Sequence, residues 1–522
     1  MTRSPWSRAA RGDAGAGAVA PPAHLALGAL LAVALGHLLV EVGLNGFHAY
    51  GYFNDEFYYI ACSKRLGFGF VDHPPLAPLL LRGVRAILGD SLPAIRLPAA
   101  VAGAATVFLT GRMAFRLGGG KFAQTLAALA VAVAPGLLVL FGFFSTNPFE
   151  ILVWTASADL VLALAAGADP RWWLVLGGIA GLGLENKHTT AVFVAALAIA
   201  VLASPLRERL REPWPWLGLL VAFLLFLPNL VWEVRHDWIS LQFYRAAETV
   251  KNVPTSSLRA ALDQVLFMNP VTMPLWLLGL RFYLLDREGR PWRVLGWTFG
   301  MLFALTLLVP TSRPDRIAGA YPMLFAAGAV VFERWGRRPA RVAVVAACAV
   351  SVAVFAPLTL PLIPPHALAT YARVLHLNPQ VELQRHNALP QWAADSLGWE
   401  DLADAVAAVA RTLPPEGRDQ AAVLAGDYAY AGSLEFFGPA RGVPRVISAH
   451  NQYFLWGPGG PPPRVVIALG TSRTDLERLF TDVEQAATFR CEFCYQDGMP
   501  IWVATRPRVS LRDAWPGLEH FE

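Results

Sequence analysis

"NDEFYYIACSKRLGFGFVDHPPL", residues 54–76, sets Asp55, Glu56, Lys64, Arg65, Asp72 and His73 between two strongly apolar segments. The runs on either side, 24–44 and 92–113, are about as long as a bilayer-spanning helix must be. The ionisable stretch therefore reads as a loop held at a membrane surface. Within it, 54–66 is expected to form one interfacial helix and 72–88 a second, since proline is tolerated in a helix's first turn.

The rest of the chain follows from that reading. Of its 522 residues 55% are hydrophobic and only 16% are charged, and apolar runs recur to about residue 363 before the texture turns mixed and polar. The expected fold class is a polytopic all-α membrane domain over 23–363 with an outer loop at 45–91, followed by a small α/β extracytoplasmic domain over 364–522. Residues 1–22, basic and rich in Ala, Gly and Pro, read as a disordered cytoplasmic tail. Basic clusters at Arg3, Arg8 and Arg11, at Arg112, Arg116 and Lys121, at Arg207, Arg209 and Arg211, at Arg287, Arg290 and Arg293, and at Arg334, Arg337, Arg338 and Arg341 are assigned to the cytoplasm. Alternation then gives about eleven transmembrane helices, near 24–44, 92–113, 122–141, 149–166, 172–185, 188–203, 214–234, 261–284, 294–310, 318–333 and 342–363, with the C-terminal domain outside. The net charge of +5 is spread over these loops, so no nucleic-acid partner is indicated.

Beyond 363, "AAVLAG" (421–426), "RVVIAL" (464–469) and "PIWVATRP" (500–507) read as strands, and "SRTDLERLFTDVEQAA" (472–487) reads as an amphipathic helix capped by Ser472. No glycine-rich phosphate loop accompanies them, and no nucleotide cofactor is expected. Cys62 and Cys348 read as small apolar fillers; Cys491 and Cys494 leave a local disulfide, which is favoured, or two free thiols. A lone Cys pair does not complete a metal site, and no Asp-x-Asp triplet occurs, so no metal is expected.

Chemistry is sought among ionisable groups at membrane depth or at its surface, because their cost there usually marks a site. Asp55 and Glu56 are adjacent, so on a helix they point different ways; one is a candidate proton acceptor, and both equally suit a helix's first turn. His73, stiffened by Pro74 and Pro75, shares its loop with Asp72. Asn147 and Glu150 open the fourth span, where Glu150 also fits a solvated helix end. Glu185, Lys187 and His188 lie between two short apolar segments, where Glu185 and Lys187 also fit a purely structural ion pair. Arg313 and Arg316 offer cations suited to a phosphate or to lipid headgroups. Lys64 and Arg65 read as interfacial anchors.

The opening stretch, together with "FSTNPFEILVW", "GLGLENKHTTAVF", "FLPNLVWEVRHDWISLQF", "QVLFMNPVTMPLWLLGL", "AYPMLFAAGAVVFERW", "GDYAYAGSLEFFGP" and "NQYFLWGP", resembles the bacterial membrane glycosyltransferases of family 39 type, relatives of the protein O-mannosyltransferases and of the lipid A aminoarabinose transferase. The resemblance implies a GT-C fold, a catalytic first outer loop and a sugar donor on polyprenyl phosphate. It implies Asp55 as general base, with Asp72, His73, Lys187 and Arg313 at positions that match the family's motifs. Tyr58 stands where the aminoarabinose transferase has an Arg, and Asp315 and Arg316 stand where many relatives carry two tyrosines. The implied function is inverting, metal-independent sugar transfer to a hydroxyl of a protein, lipid or glycan at the outer face of the cytoplasmic membrane. The rival reading is a transporter or flippase, since buried charges also line substrate paths; the absence of paired inverted repeats speaks against it.

Overall fold

The structure, a computed structural model, describes residues 24–48, 50–378, 380, 382–383 and 388–521. The tail expected over 1–22 lies outside the described residues. The chain folds into two compact units, one containing the chain up to Phe47, Arg96–Val231 and Pro254–Leu362, the other His48–Ile95, Trp232–Val253 and Ile363–Glu522.

The first unit is helical. Six of its helices are long and apolar enough to cross a membrane: Leu27–Phe47, Leu92–Arg116, Asn147–Ala165, Pro213–Arg235, Arg290–Leu308 and Arg338–Thr359. Three further pairs qualify only when taken together across a sharp bend, Lys121–Ala132 with Pro135–Phe141 at 66°, Thr190–Leu202 with Pro205–Arg211 at 94°, and Ser257–Phe267 with Pro270–Leu284 at 94°. A proline opens the second member of each pair, removing the amide that would have continued the first helix. The two remaining expected spans are helices of 15 residues each, Trp172–Asn186 and Tyr321–Trp335. By length and apolarity, then, six to nine spans stand among the described residues where about eleven were expected.

Helices Met273–Leu284 and Tyr321–Trp335 pack at backbone distance, because a Cβ at Gly279 would strike the Leu324 carbonyl and one at Gly328 the Leu275 carbonyl. Charge is buried here too. Asp159 is fully buried and accepts from Arg112 at 2.6 Å and Arg116 at 2.8 Å. Both arginines belong to the helix Leu92–Arg116 rather than to a loop.

The second unit carries a five-stranded sheet in the order β2-β1-β3-β5-β4, with β1 at Ala421–Ala425, β2 at Arg445–Ser448, β3 at Val465–Leu469, β4 at Phe480–Thr488 and β5 at Pro500–Pro507. β2, β1 and β3 are parallel; β5 is antiparallel to β3 and to β4. The three expected strands are present. The expected helix over 472–487 is cut short, running only Arg473–Leu479 from its Ser472 cap before the chain enters β4. From Phe480 on, Val483 is buried while Thr481, Glu484 and Gln485 are exposed, a sequence that lies flat as an edge strand along β5. Cys491 and Cys494 form a disulfide, and Cys62 and Cys348 are buried free thiols. The first outer loop supplies helices Asn54–Lys64 and Leu76–Leu88 to this unit. Helix Asn54–Lys64 packs against Tyr428–Phe437, where a Cβ on Gly432 would come within 2.9 Å of the Phe57 side chain.

Gly328→Val is expected to cost roughly 1–3 kcal/mol by forcing two backbones apart. Gly300→Ala, at a position facing open space, is expected to leave stability unchanged. Thermal unfolding of the two purified variants checks the contrast.

Candidate functional site

In the second unit the candidates gather around the start of helix Asn54–Lys64. The Glu56 side chain turns back to accept the Phe53 amide at 2.8 Å and is fully buried, which satisfies an otherwise orphaned donor of the first turn. Asp55, on the other side of the helix, is half-buried and accepts the Tyr428 hydroxyl at 2.7 Å. Tyr428 stands where β1 ends and helix Tyr428–Phe437 begins, at the carboxyl edge of the parallel strands, where open α/β sheets tend to present their site residues. Asp427 caps that helix by accepting the Ala429 amide.

One turn along from Asp55, Tyr58 donates to Asp72 at 2.7 Å and accepts the Gln452 amide at 3.2 Å. Burial, and next to it the charge of Asp72, push the Tyr58 phenol well above its ordinary range, so it remains a donor. The tyrosine that stands in place of the expected Arg thus braces the Asp72 carboxylate. His73 is 2% exposed, with its ring 4.8 Å from that of Tyr59 and 4.9 Å from that of Phe70. Its Nδ1 donates to the Pro74 carbonyl at 2.9 Å, and its Nε2 lies 4.0 Å from Asp72 Oδ1. Arg65 pairs with Glu435 at 2.7 Å and covers the Trp456 ring at 4.4 Å. Tyr428 and Glu435 were not singled out by sequence reasoning, and Tyr58 was noted only as standing where a relative has an Arg. The one signal for Tyr428 was its place directly after a strand in "GDYAYAG".

In the first unit Lys187 ends helix Trp172–Asn186 in an extended conformation, freeing its side chain from the helix. Its Nζ donates to Asn147 at 2.6 Å and to buried Glu150 at 2.9 Å. Glu150 also accepts the Thr189 hydroxyl. Lys187 thus pairs with Glu150 rather than with Glu185, and Glu150 is not solvated. His188 turns to Asn229, 2.9 Å away, and Glu185 meets the backbone of the same Asn229. Arg313 contacts Asp315 at 3.3 Å. Burial on its own would raise the Asp315 carboxyl, but the charges of Arg313, Lys187 and Arg316 outweigh it and hold the group below its ordinary value. Asn147, Glu150, Lys187, Arg313, Asp315 and Arg316 therefore form one electrostatic neighbourhood. Among the described residues no group of three or more His, Cys, Asp or Glu side chains is placed to hold a metal ion.

Residues 72–232 match the family model described as dolichyl-phosphate-mannose-protein mannosyltransferase. Among solved structures the chain is similar to ArnT from Cupriavidus metallidurans, with a TM-score of 0.60 to its apo state and 0.59 to its complex with undecaprenyl phosphate. Each comparison has 17% identity and covers 92% of this chain and 97% of that one. The apo oligosaccharyltransferase of Archaeoglobus fulgidus has a TM-score of 0.49 at 13% identity, over 81% of this chain and 64% of that one. Comparison with curated protein sequences finds no match. The resemblance drawn from the motifs is borne out, and with it a multi-pass membrane protein of the GT-C fold.

Because its carboxyl is held below the ordinary value, Asp315 contributes stability above the usual carboxylate pKa, and this is lost as pH falls through its lowered folded-state value. Asp315→Asn is expected to flatten the acid limb of a stability-against-pH curve below about pH 4 while leaving its shape near neutrality. Thermal unfolding across that pH range checks the sign.

Proposed function

Taking this GT-C membrane chain as a glycosyltransferase, we propose that it moves a sugar from a polyprenyl-phosphate donor to a hydroxyl acceptor at the outer face of the cytoplasmic membrane, with inversion and without a metal. The observation that carries the reading is Asp55: a half-buried carboxylate held by a tyrosine 373 residues away in sequence, on the family-like loop. In the proposed step the acceptor oxygen attacks the sugar C1 as the C1–O bond to phosphate breaks through an oxocarbenium-like state. Asp55 takes the acceptor's proton, and the electron pair of the broken bond leaves on the lipid phosphate. Phosphate is a competent leaving group, so neutralising its charge is the remaining requirement. Lys187 and Arg313 are assigned to it, with Asn147 and Glu150 positioning Lys187. Glu56 is assigned to fixing the helix that carries Asp55, and Asp72, braced by Tyr58 and His73, to holding the loop beside it. Glu185 and His188 stay candidates for substrate contact.

The orientation that fits is a cytoplasmic N-terminus with the sheet-bearing unit outside, in contact with the protein, lipid or glycan that accepts the sugar. Asp55→Asn is expected to lower transfer at least about a thousandfold while the protein still folds, as loss of an essential base does. Tyr428→Phe, which frees the carboxylate without removing it, is expected to cost about tenfold, mainly in kcat. Lys187→Ala and Arg313→Ala are expected to weaken donor use. Transfer of labelled sugar in membranes supplied with polyprenyl-phosphate sugars measures all four, and full activity in Asp55→Asn would sink the base assignment.

A further inference from the structure

Helices Asn54–Lys64 and Tyr428–Phe437 share a second charged contact at their far ends. Tyr428 holds Asp55, and Glu435, two turns further along the same face, holds Arg65 at 2.7 Å and accepts the Tyr453 hydroxyl at 3.2 Å. A cleft of about 370 Å³ opens at this end, lined by Arg65, Glu435, Arg445, Tyr453, Trp456 and the glycine-rich turn that follows. Seven residues of helix set its carboxylate about 10 Å along the axis from Tyr428, and so from the proposed base.

The walls are fixed before any ligand arrives. Arg65 lies over the Trp456 ring at 4.4 Å, and the Trp456 and Tyr453 rings meet edge to face at 4.8 Å. Gly457 and Gly459, at φ 73° and 53°, turn the chain so that the Gly459 and Pro461 carbonyls accept from Arg445. The charges do not cancel. Glu435 offsets Arg65, whereas Arg445 meets carbonyl oxygens, which orient a guanidinium without neutralising it. The cleft therefore combines aromatic edges, a carboxylate that accepts from hydroxyls, and one cation in excess.

Resting on the reading of the chain as a sugar transferase, we propose that this cleft is a saccharide subsite that holds an anionic sugar residue of the acceptor beside the transfer site. Hydroxyls would donate to Glu435, the ring would lie against the edge of Trp456, and the acidic group would meet Arg445.

The test uses the full chain in lipid nanodiscs and saturation-transfer NMR with methyl glucuronide, with methyl glucoside and inorganic phosphate as comparisons. Saturable transfer to the glucuronide ring protons is expected, with weaker transfer to the glucoside. The dissociation constant should rise at least about tenfold in both Arg445→Gln and Trp456→Ala, as loss of a charge-assisted contact implies. If one variant does not fold, the other carries the comparison. Absence of saturable transfer, equal binding of the neutral glucoside, displacement by phosphate alone at equal concentration, or unchanged binding in the folded variants would each overturn the proposal. Binding is read without turnover, so a negative result leaves the transfer reading standing, and full activity in Asp55→Asn, which sinks the base assignment, leaves the binding result standing.

Discussion

The hydrogen bond from Tyr428 to Asp55 organises the second unit, because it can form only where the loop helix lies hard against Tyr428–Phe437. Gly432 allows that approach, and Phe57, Tyr58 and Cys62 are buried by it. Tyr58 then reaches Asp72, and Arg65 reaches Glu435, so a helix with no deep apolar face of its own is held by contacts spaced along its length. Remove the packing and none of the carboxylates has a fixed direction.

Legibility followed the physics of each element. Continuous apolar runs and strands bounded by glycine were readable, because burial on both faces leaves an uninterrupted pattern. The three bent pairs were readable as apolar stretches but not as bends, although Pro135, Pro205 and Pro270 mark them in hindsight. The helix expected over 472–487 failed at Phe480, where pairing with β5 outweighed helical periodicity, a tertiary effect that no local window contains. For the site, residue identity was legible and partnership was not. The surroundings of Asp55 and Glu56 could not be told apart until the Phe53 amide and the Tyr428 hydroxyl were seen to claim one carboxylate each. Lys187 was noticed, but its partner lies 37 residues away in sequence at Glu150.

The buried charges of the first unit show how little a charge count says about topology. Arg112 and Arg116 look like a cytoplasmic cluster, yet both are consumed by Asp159, whose burial would be prohibitive without two donors. The Lys187 group differs in gathering three cations, Lys187, Arg313 and Arg316, around Asp315.

The separation of 373 residues between Asp55 and Tyr428 has a consequence for biogenesis. At the usual 5–20 residues per second, the loop helix leaves the ribosome roughly 20 to 75 seconds before its partner exists. Through that interval the helix has only its neighbour Leu76–Leu88 to pack on, where Arg85 donates to Ser63 at 2.7 Å. The tyrosine that holds the Asp55 carboxylate arrives only with the sheet, so truncation anywhere before residue 428 leaves that carboxylate without this donor.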